Sequence, residues 1–178
     1  RSLVGSEMCI RDSYILVMRG TPLMLQIIAI YYAVPLIIAS AAKQGKTGGV
    51  YDVLTNIKNN ENYMFIALVT AFVLNYAAYF AEIYRAGIEG IPVGQYEAAK
   101  VLGYSKAQTF CKIIFPQMVK RVVPPVTNEV ITLVKDTSLA FVVAVAEMFT
   151  IAKQIASAQT TMMPFVIAAV FYLSLIHI

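Results

Sequence analysis

Apolar residues fill Tyr14–Ile38, interrupted by Arg19, Gly20, Thr21 and Gln26. Ala39–Asn62 is polar, carries KQGKTGG and NIKNNEN, and reads as a connection full of turn formers. Tyr63–Tyr84 is a second apolar run, with Thr70, Asn75 and Glu82 as its few polar side chains. Arg85 to about Arg121 is polar and charged. Val122 to about Val145 is apolar again, broken by NE at Asn128–Glu129 and KDTS at Lys135–Ser138. Glu147–Thr161 is mixed, and Met163–Tyr172 opens a further apolar run. Such runs reach the roughly 20 residues that cross a bilayer as a helix. Lipid offers no partner to backbone N–H and C=O groups, so each run must satisfy its own as a helix. The short alternating segments of a transmembrane barrel are not found. The pattern predicts an all-α integral membrane protein.

Composition agrees. The 178 residues are 59% hydrophobic and 13% charged, with a mean hydropathy of +0.70. A soluble domain carries about 25% charged residues. The length suits one domain.

The two ends change what should count as fold. LVGSEMCIRDS near the start and LSLIHI at the finish can be encoded by one DNA string read in opposite orientations. That string resembles the end of a transposase-type sequencing adapter. Residues 1–13, with Arg1 and Ser2 included as suspect, and residues 173–178 are therefore expected to be translated adapter. Residues 14–172 remain as a partial transmembrane domain, and the natural chain is expected to continue past both ends. Such scars are set aside before fold reasoning.

Setting them aside removes chemistry. The one histidine, His177, and one of the two cysteines, Cys9, fall in the ends, leaving Cys111 and no histidine between Tyr14 and Tyr172. Ser–His and Cys–His catalysis and histidine metal sites are excluded from that segment. A lone cysteine forms no internal disulfide; Cys111 is expected to pack on an apolar face. No metal site and no cofactor of the chain's own are expected.

Charge placement gives orientation. Arg85–Arg121 holds Arg85, Lys100, Lys106, Lys112, Lys120 and Arg121 against Glu89 and Glu97. Lys43, Lys46 and Lys58 lie in Ala39–Asn62. Basic residues concentrate in cytoplasmic loops, so Arg85–Arg121 should face the cytoplasm and Ala39–Asn62 the outside.

Topology alone would not give the Arg85–Arg121 segment its internal order. GIEGIPVGQ is rich in turn formers. Gln95–Leu102 is made of helix formers, with Glu97 read as a first-turn acid. Gly103 suits a helix C-terminus, and Ser105–Gln108 matches a capping box. Apolar residues at 107, 110, 111 and 114 mark one helical face, and Pro116 predicts a break or kink. A short helix, a tight turn and an amphipathic helix result. The amphipathic helix should pack on the membrane helices and leave the short one free to dock a partner.

Here the residues carry a resemblance. Glu97, Ala98, Ala99, Gly103, Ile113 and Pro116 reproduce the spacing of the Glu-Ala-Ala loop of ABC importer permeases, with Phe115 where leucine is common. RGTPLMLQ (Arg19–Gln26), AYFAEIYRAGI (Ala78–Ile88) and NEVITLVKDTSL (Asn128–Leu139) resemble the permeases of polar amino-acid importers of the histidine/glutamine/arginine type. The resemblance implies a type I permease bundle of about five helices, of which this chain is a fragment. It implies a multi-pass place in the bacterial cytoplasmic (inner) membrane. It also implies that Glu97–Gly103 is a coupling helix seated on an ATP-binding subunit. ATP and Mg would bind that partner; the chain has no phosphate loop of its own. A second permease subunit and a periplasmic or lipid-anchored amino-acid-binding protein complete the implied partners. Lipid surrounds the bundle, and no nucleic acid is implied.

Polar groups at membrane depth are costly and mark pathways. Asn75 and Glu82 are seven positions apart on one helix face, and Asn128, Glu129 and Asp136 sit on another interrupted helix. A polar amino acid needs an anion for its ammonium and donors for its carboxylate. Glu129 and Asn75 are expected to face the pathway, with Glu82 and Asn128 nearby and Thr137 and Ser138 at a helix break. Interhelical hydrogen bonding, or an ion pair of Glu129 with Lys135, is the competing structural role. Arg19 and Lys135 can each be accounted for by snorkelling to an interface. An ion-coupled secondary transporter, which usually needs more helices in one chain, and a non-transporting membrane scaffold are the rival functions.

Overall fold

The computed structural model describes residues 2–45 and 48–177; the sequence expectations for Arg1, Lys46 and Ile178 lie outside them. Its first helix, α1 (Ser2–Gly20), stops within what reads in sequence as one apolar run, and α2 (Leu23–Lys43) starts after it. Pro22 causes the break. It sits in extended geometry, φ −60° and ψ 132°, it has no N–H to give a helix, and its ring disfavours helical geometry at Thr21. The tyrosine-rich run is thus two helices, where the apolar pattern alone suggests one.

The polar connection is also partly helical: α3 (Gly49–Lys58) lies between α2 and α4. Its apolar Val50 and Val53 stay exposed. The longest helix, α4 (Tyr63–Glu89), runs one turn beyond the expected Tyr84. An Arg85–Glu89 ion pair at 2.9 Å spans that added turn. Gly90 caps it. α2 and α4 each have the length and apolarity to cross a membrane.

After α5 (Val93–Val101) and α6 (Lys106–Thr109) comes a π-helical turn, Phe110–Ile114, continuous with α7 (Phe115–Asp136). Of the break or kink expected at Pro116, there is no break; the irregularity there is the π turn. In a regular helix the proline ring would strike the carbonyl four residues back. The wider turn, in which the Phe115 N–H donates to the Phe110 carbonyl, makes room for it. The extra residue in the turn also rotates the buried face. Ala107, Phe110 and Cys111 are exposed, and burial passes to Ile114, Met118 and Val122. Cys111 therefore does not pack as expected.

α7 gives way to a 3₁₀ segment, Thr137–Val143, which ends on Ala144 with φ +59°. α8 (Met148–Gln159) follows at a 58° bend, and α9 (Met163–His177) closes the described chain. The Glu147 carboxylate caps α8 by accepting from the Phe149 and Thr150 N–H groups, both at 2.6 Å.

α4 is the hub, touching α1, α2, α7 and the 3₁₀ segment. Its buried Ala67, Ala71, Ala78 and Gly87 let neighbouring helices approach closely. One cluster joins Ile27 of α2, Leu68 and Ala71 of α4, and Ala140 and Val143 of the 3₁₀ segment. A second joins Ile91, Ile114, Met118 and Val122. Gly87 belongs beside the second: a Cβ there would lie 2.3 Å from Val122 Cγ2.

Candidate functional site

Two assemblies answer to the candidate residues. The first is the α5–α6 element. α5 ends where Gly103 takes φ +75°, the left-handed region open to glycine at little cost. The Gly103 N–H donates to the Lys100 carbonyl at 3.1 Å and the Tyr104 N–H to the Ala99 carbonyl at 3.0 Å. This paired pattern satisfies the last carbonyls of the helix. The next residue opens α6: the Ser105 N–H donates to Gln108 Oε1 at 2.9 Å, and the Gln108 N–H donates to Ser105 Oγ at 3.3 Å. The turn between the helices is thus closed from both sides within six residues.

This element is tethered on one side only. Ala99 is fully buried; Ile113 packs against the cluster of Ile91, Ile114, Met118 and Val122. Gln117 Nε2 donates to Gln95 Oε1 at 3.3 Å, joining α5 to α7. Glu97, Ala98 and Pro116 are exposed. So are Val101 and Leu102, at 88% and 73%. Because α5 begins at Val93, Glu97 lies in its second turn, and the first turn holds no acid. The expected first-turn role of Glu97 against the helix dipole is therefore corrected.

The second assembly is a cavity of about 390 Å³ at the depth of the α1–α2 break. Arg19–Leu23, with the non-helical Thr21–Pro22 link, forms one side; Asn75, Tyr76 and Tyr79 of α4 form another; Glu129, Thr132 and Asp136 of α7 complete it. Non-helical backbone at membrane depth is tolerated where it lines a cavity. The break is held by side chains. Gln26 Nε2 donates to the Met18 carbonyl at 2.9 Å and to Thr21 Oγ1 at 2.7 Å. Asn75, buried to 4% exposure, donates to the Met18 carbonyl and to Gln26 Oε1, each at 3.0 Å. Both Asn75 amide hydrogens are used there, so its structural part is to clamp α4 to the break.

Helical geometry sorts the other candidates. Seven positions is close to two turns, so Glu129 and Asp136 share a face and both reach the cavity. Asn128, one position from Glu129, points about 100° away and is exposed outside it. Lys135 is six positions from Glu129, about 240° around the helix. No Glu129–Lys135 ion pair exists among the described residues. Glu82 shares the Asn75 face but lies about 10 Å further along α4. It lines a neighbouring cavity of about 460 Å³ with Asp12, Arg19 and Arg85. Thr137 and Ser138 begin the 3₁₀ segment, a change of helix type, without lining either cavity.

The pattern of polar positions named Asp136 but gave it no place in the pathway, and it did not single out the lining residues Arg19, Tyr76 and Tyr79. The Tyr76 hydroxyl donates to Asp136 Oδ2 at 2.8 Å. The Arg19 guanidinium lies over the Tyr79 ring, 5.2 Å from its centroid. Tyr76 and Tyr79 flank the Asn75 face, and Asp136 repeats the seven-residue spacing; those were the available signals. Among the described residues no group of three or more His, Cys, Asp and Glu side chains gathers to hold a metal.

The described residues form an all-helical bundle with a polar cavity at the α1–α2 link and a two-helix element, and this fold is that of the type I permeases of ABC importers. The family model of the binding-protein-dependent transport system inner membrane component matches residues 10–178, and the chain belongs to that family. The nopaline transport system permease protein NocM of Agrobacterium fabrum is 34% identical over 90% of this chain and 62% of its own length. The octopine transport system permease protein OccM of Rhizobium radiobacter is 36% identical over 91% of this chain and 62% of its own. The arginine transport system permease protein ArtQ of Bacillus subtilis is 34% identical over 95% and 68%. A solved amino acid ABC transporter superposes with a TM-score of 0.68 at 32% identity, covering 92% of this chain and 67% of the other. The chain thus spans about three fifths of the length of NocM and OccM.

Proposed function

We propose that this chain is the membrane-spanning subunit of an ATP-driven amino-acid importer in a bacterial cytoplasmic membrane, crossing it several times. ATP and Mg bind a separate ATPase, which docks on α5 through Glu97–Gly103. A second permease subunit completes the pathway, and a periplasmic or lipid-anchored binding protein delivers the amino acid. The observation that carries this reading is the exposed, internally locked α5–α6 element fixed to the membrane helices by Ile113, Ile114 and Gln117. A helix held rigidly at its C-terminal turn transmits a push; a loose loop absorbs it. The basic residues around it support a cytoplasmic place.

The cavity supplies the other half. Glu129 and Asp136 offer carboxylates where an ammonium would pass, in a setting where field lines focus because water is scarce. The relatives' names speak of nopaline, octopine and arginine, all bearing an ammonium or amine and a carboxylate, and that support extends to the class only. The test is uptake into proteoliposomes holding the full-length permease, its ATPase and binding protein. Uptake of labelled amino acid that requires ATP is expected. Uptake driven by an ion gradient with no ATPase present would establish a secondary transporter instead.

A further inference from the structure

We infer that Arg19 is a specificity-determining residue that receives the carboxylate of the transported amino acid. The inference rests on the reading of the central cavity as an amino-acid site. Arg19 is the one cation among the residues lining that cavity, and Glu129 and Asp136 stand on the α7 wall. The guanidinium therefore faces a space whose other charges are negative. Among the described residues it makes no ion pair; the acids Asp12 and Glu89 both pair with Arg85. Its recorded contact is the Tyr79 ring, 5.2 Å away. Packing of the planar group over a ring leaves the N–H edge free, and that edge is the fork that matches a carboxylate with two parallel bonds.

Depth makes the assignment more than a matter of shape. Arg19 is the penultimate residue of α1, just before the non-helical Thr21–Pro22 link to α2. Its depth is that of Asn75, in the middle of the 27-residue α4. A charge at such depth without a partner is costly. Arg19 also lines the adjoining cavity that holds Glu82 and Arg85, so it stands on the border of the two. A zwitterion laid across the cavity would set its carboxylate against Arg19 and its ammonium against the α7 acids. A molecule with the ammonium alone would leave Arg19 unmatched.

The test compares free amino acids with their C-terminal amides. L-Arginine, L-glutamine and their amides are titrated calorimetrically into the full-length permease–ATPase complex in nanodiscs, without binding protein. Arg19→Gln is expected to lower the acid-to-amide affinity ratio by about tenfold or more, the scale of one charged hydrogen bond. The loss should fall on the acids, with the amides little changed. An unchanged ratio overturns the assignment even if both affinities fall, since a purely structural arginine weakens both alike. Arg19→Lys keeps the charge and loses the fork, so an intermediate ratio is expected. If the Gln variant does not assemble, a wild-type ratio in the Lys variant overturns the proposal. Binding of neither acid by the wild-type complex overturns the amino-acid reading of the cavity itself, and the Arg19 assignment falls with it.

Discussion

The α5–α6 element and the central cavity are built by opposite means. The element is contiguous: its turn, its capping box and its buried anchor Ala99 all lie between Val93 and Thr109. The cavity draws on three stretches about 50 residues apart in sequence, at Arg19–Leu23, Asn75–Tyr79 and Glu129–Asp136. The element presents a surface held rigid by local hydrogen bonds. The cavity depends on the crossing of α1, α4 and α7, and any change in those crossings changes it. The comparison teaches that a docking element can be specified locally, while a cavity between helices is specified only by how distant elements pack.

The largest expected effect strikes the element. Gly103→Pro cannot adopt φ +75°, and it removes the N–H that donates to Lys100. ATP-dependent uptake by the full-length complex should fall to background in that variant and in Glu97→Lys, with membrane insertion intact. Wild-type uptake at normal expression would break the comparison at its rigid end.

Next comes the cavity. Glu129→Gln keeps size and removes a charge from the α7 wall. Binding of neutral and basic amino acids should weaken by about 1–3 kcal/mol, the range for charged hydrogen bonds, while the ATPase remains attached. Unchanged affinity in reconstituted vesicles would make Glu129 a structural residue.

Packing between the two regions is third. Gly87→Ala drives a Cβ to 2.3 Å from Val122 Cγ2, and overpacking of this kind costs about 1–3 kcal/mol. A lowered thermal midpoint of the purified complex, relieved by the additional change Val122→Ala, is the expected result. Rescue failing would show that the α4–α7 contact adjusts elsewhere.

Two smaller effects sharpen the account. Ser105→Ala removes the α6 cap and should cost about 1 kcal/mol in thermal stability, with uptake reduced but measurable. Asp12→Ala breaks an exposed 3.6 Å contact with Arg85. A change within about 0.5 kcal/mol is expected, since exposed ion pairs contribute little.

The same division decided what could be read from sequence. The Gly103 turn and the Ser105–Gln108 box were legible because their partners lie within a few residues and each demands particular side chains. The apolar runs gave the long helices for the same reason. Three local features misled. Pro22 split a run that was read as one apolar segment despite the interruption at Arg19–Thr21. Pro116 was absorbed by a π turn, which periodicity at 3.6 residues does not anticipate. The turn formers of Ala39–Asn62 concealed α3, whose ten residues alternate too briefly to stand out. In the cavity, Glu129 and Asn75 were visible as polar groups at depth. Asp136 was named among the polar groups at depth without a place in the pathway, and Arg19, Tyr76 and Tyr79 were not singled out there. Which face of α7 meets which face of α4 is set by Gly87, Met118 and Val122 in contact, and no local signal encodes that pairing.

The separation of docking from substrate handling is the central claim, and it is tested most directly by how much ATPase stays with the purified full-length permease. Val101 and Leu102 form the exposed apolar tip of α5, so Val101→Asp/Leu102→Asp should release the ATPase to below about a tenth of wild type, the scale of burying two fewer aliphatic side chains. Glu129→Gln, in the same measurement, should retain it fully. ATPase held at the wild-type ratio by the α5 variant, or lost from the Glu129 variant, would contradict the account.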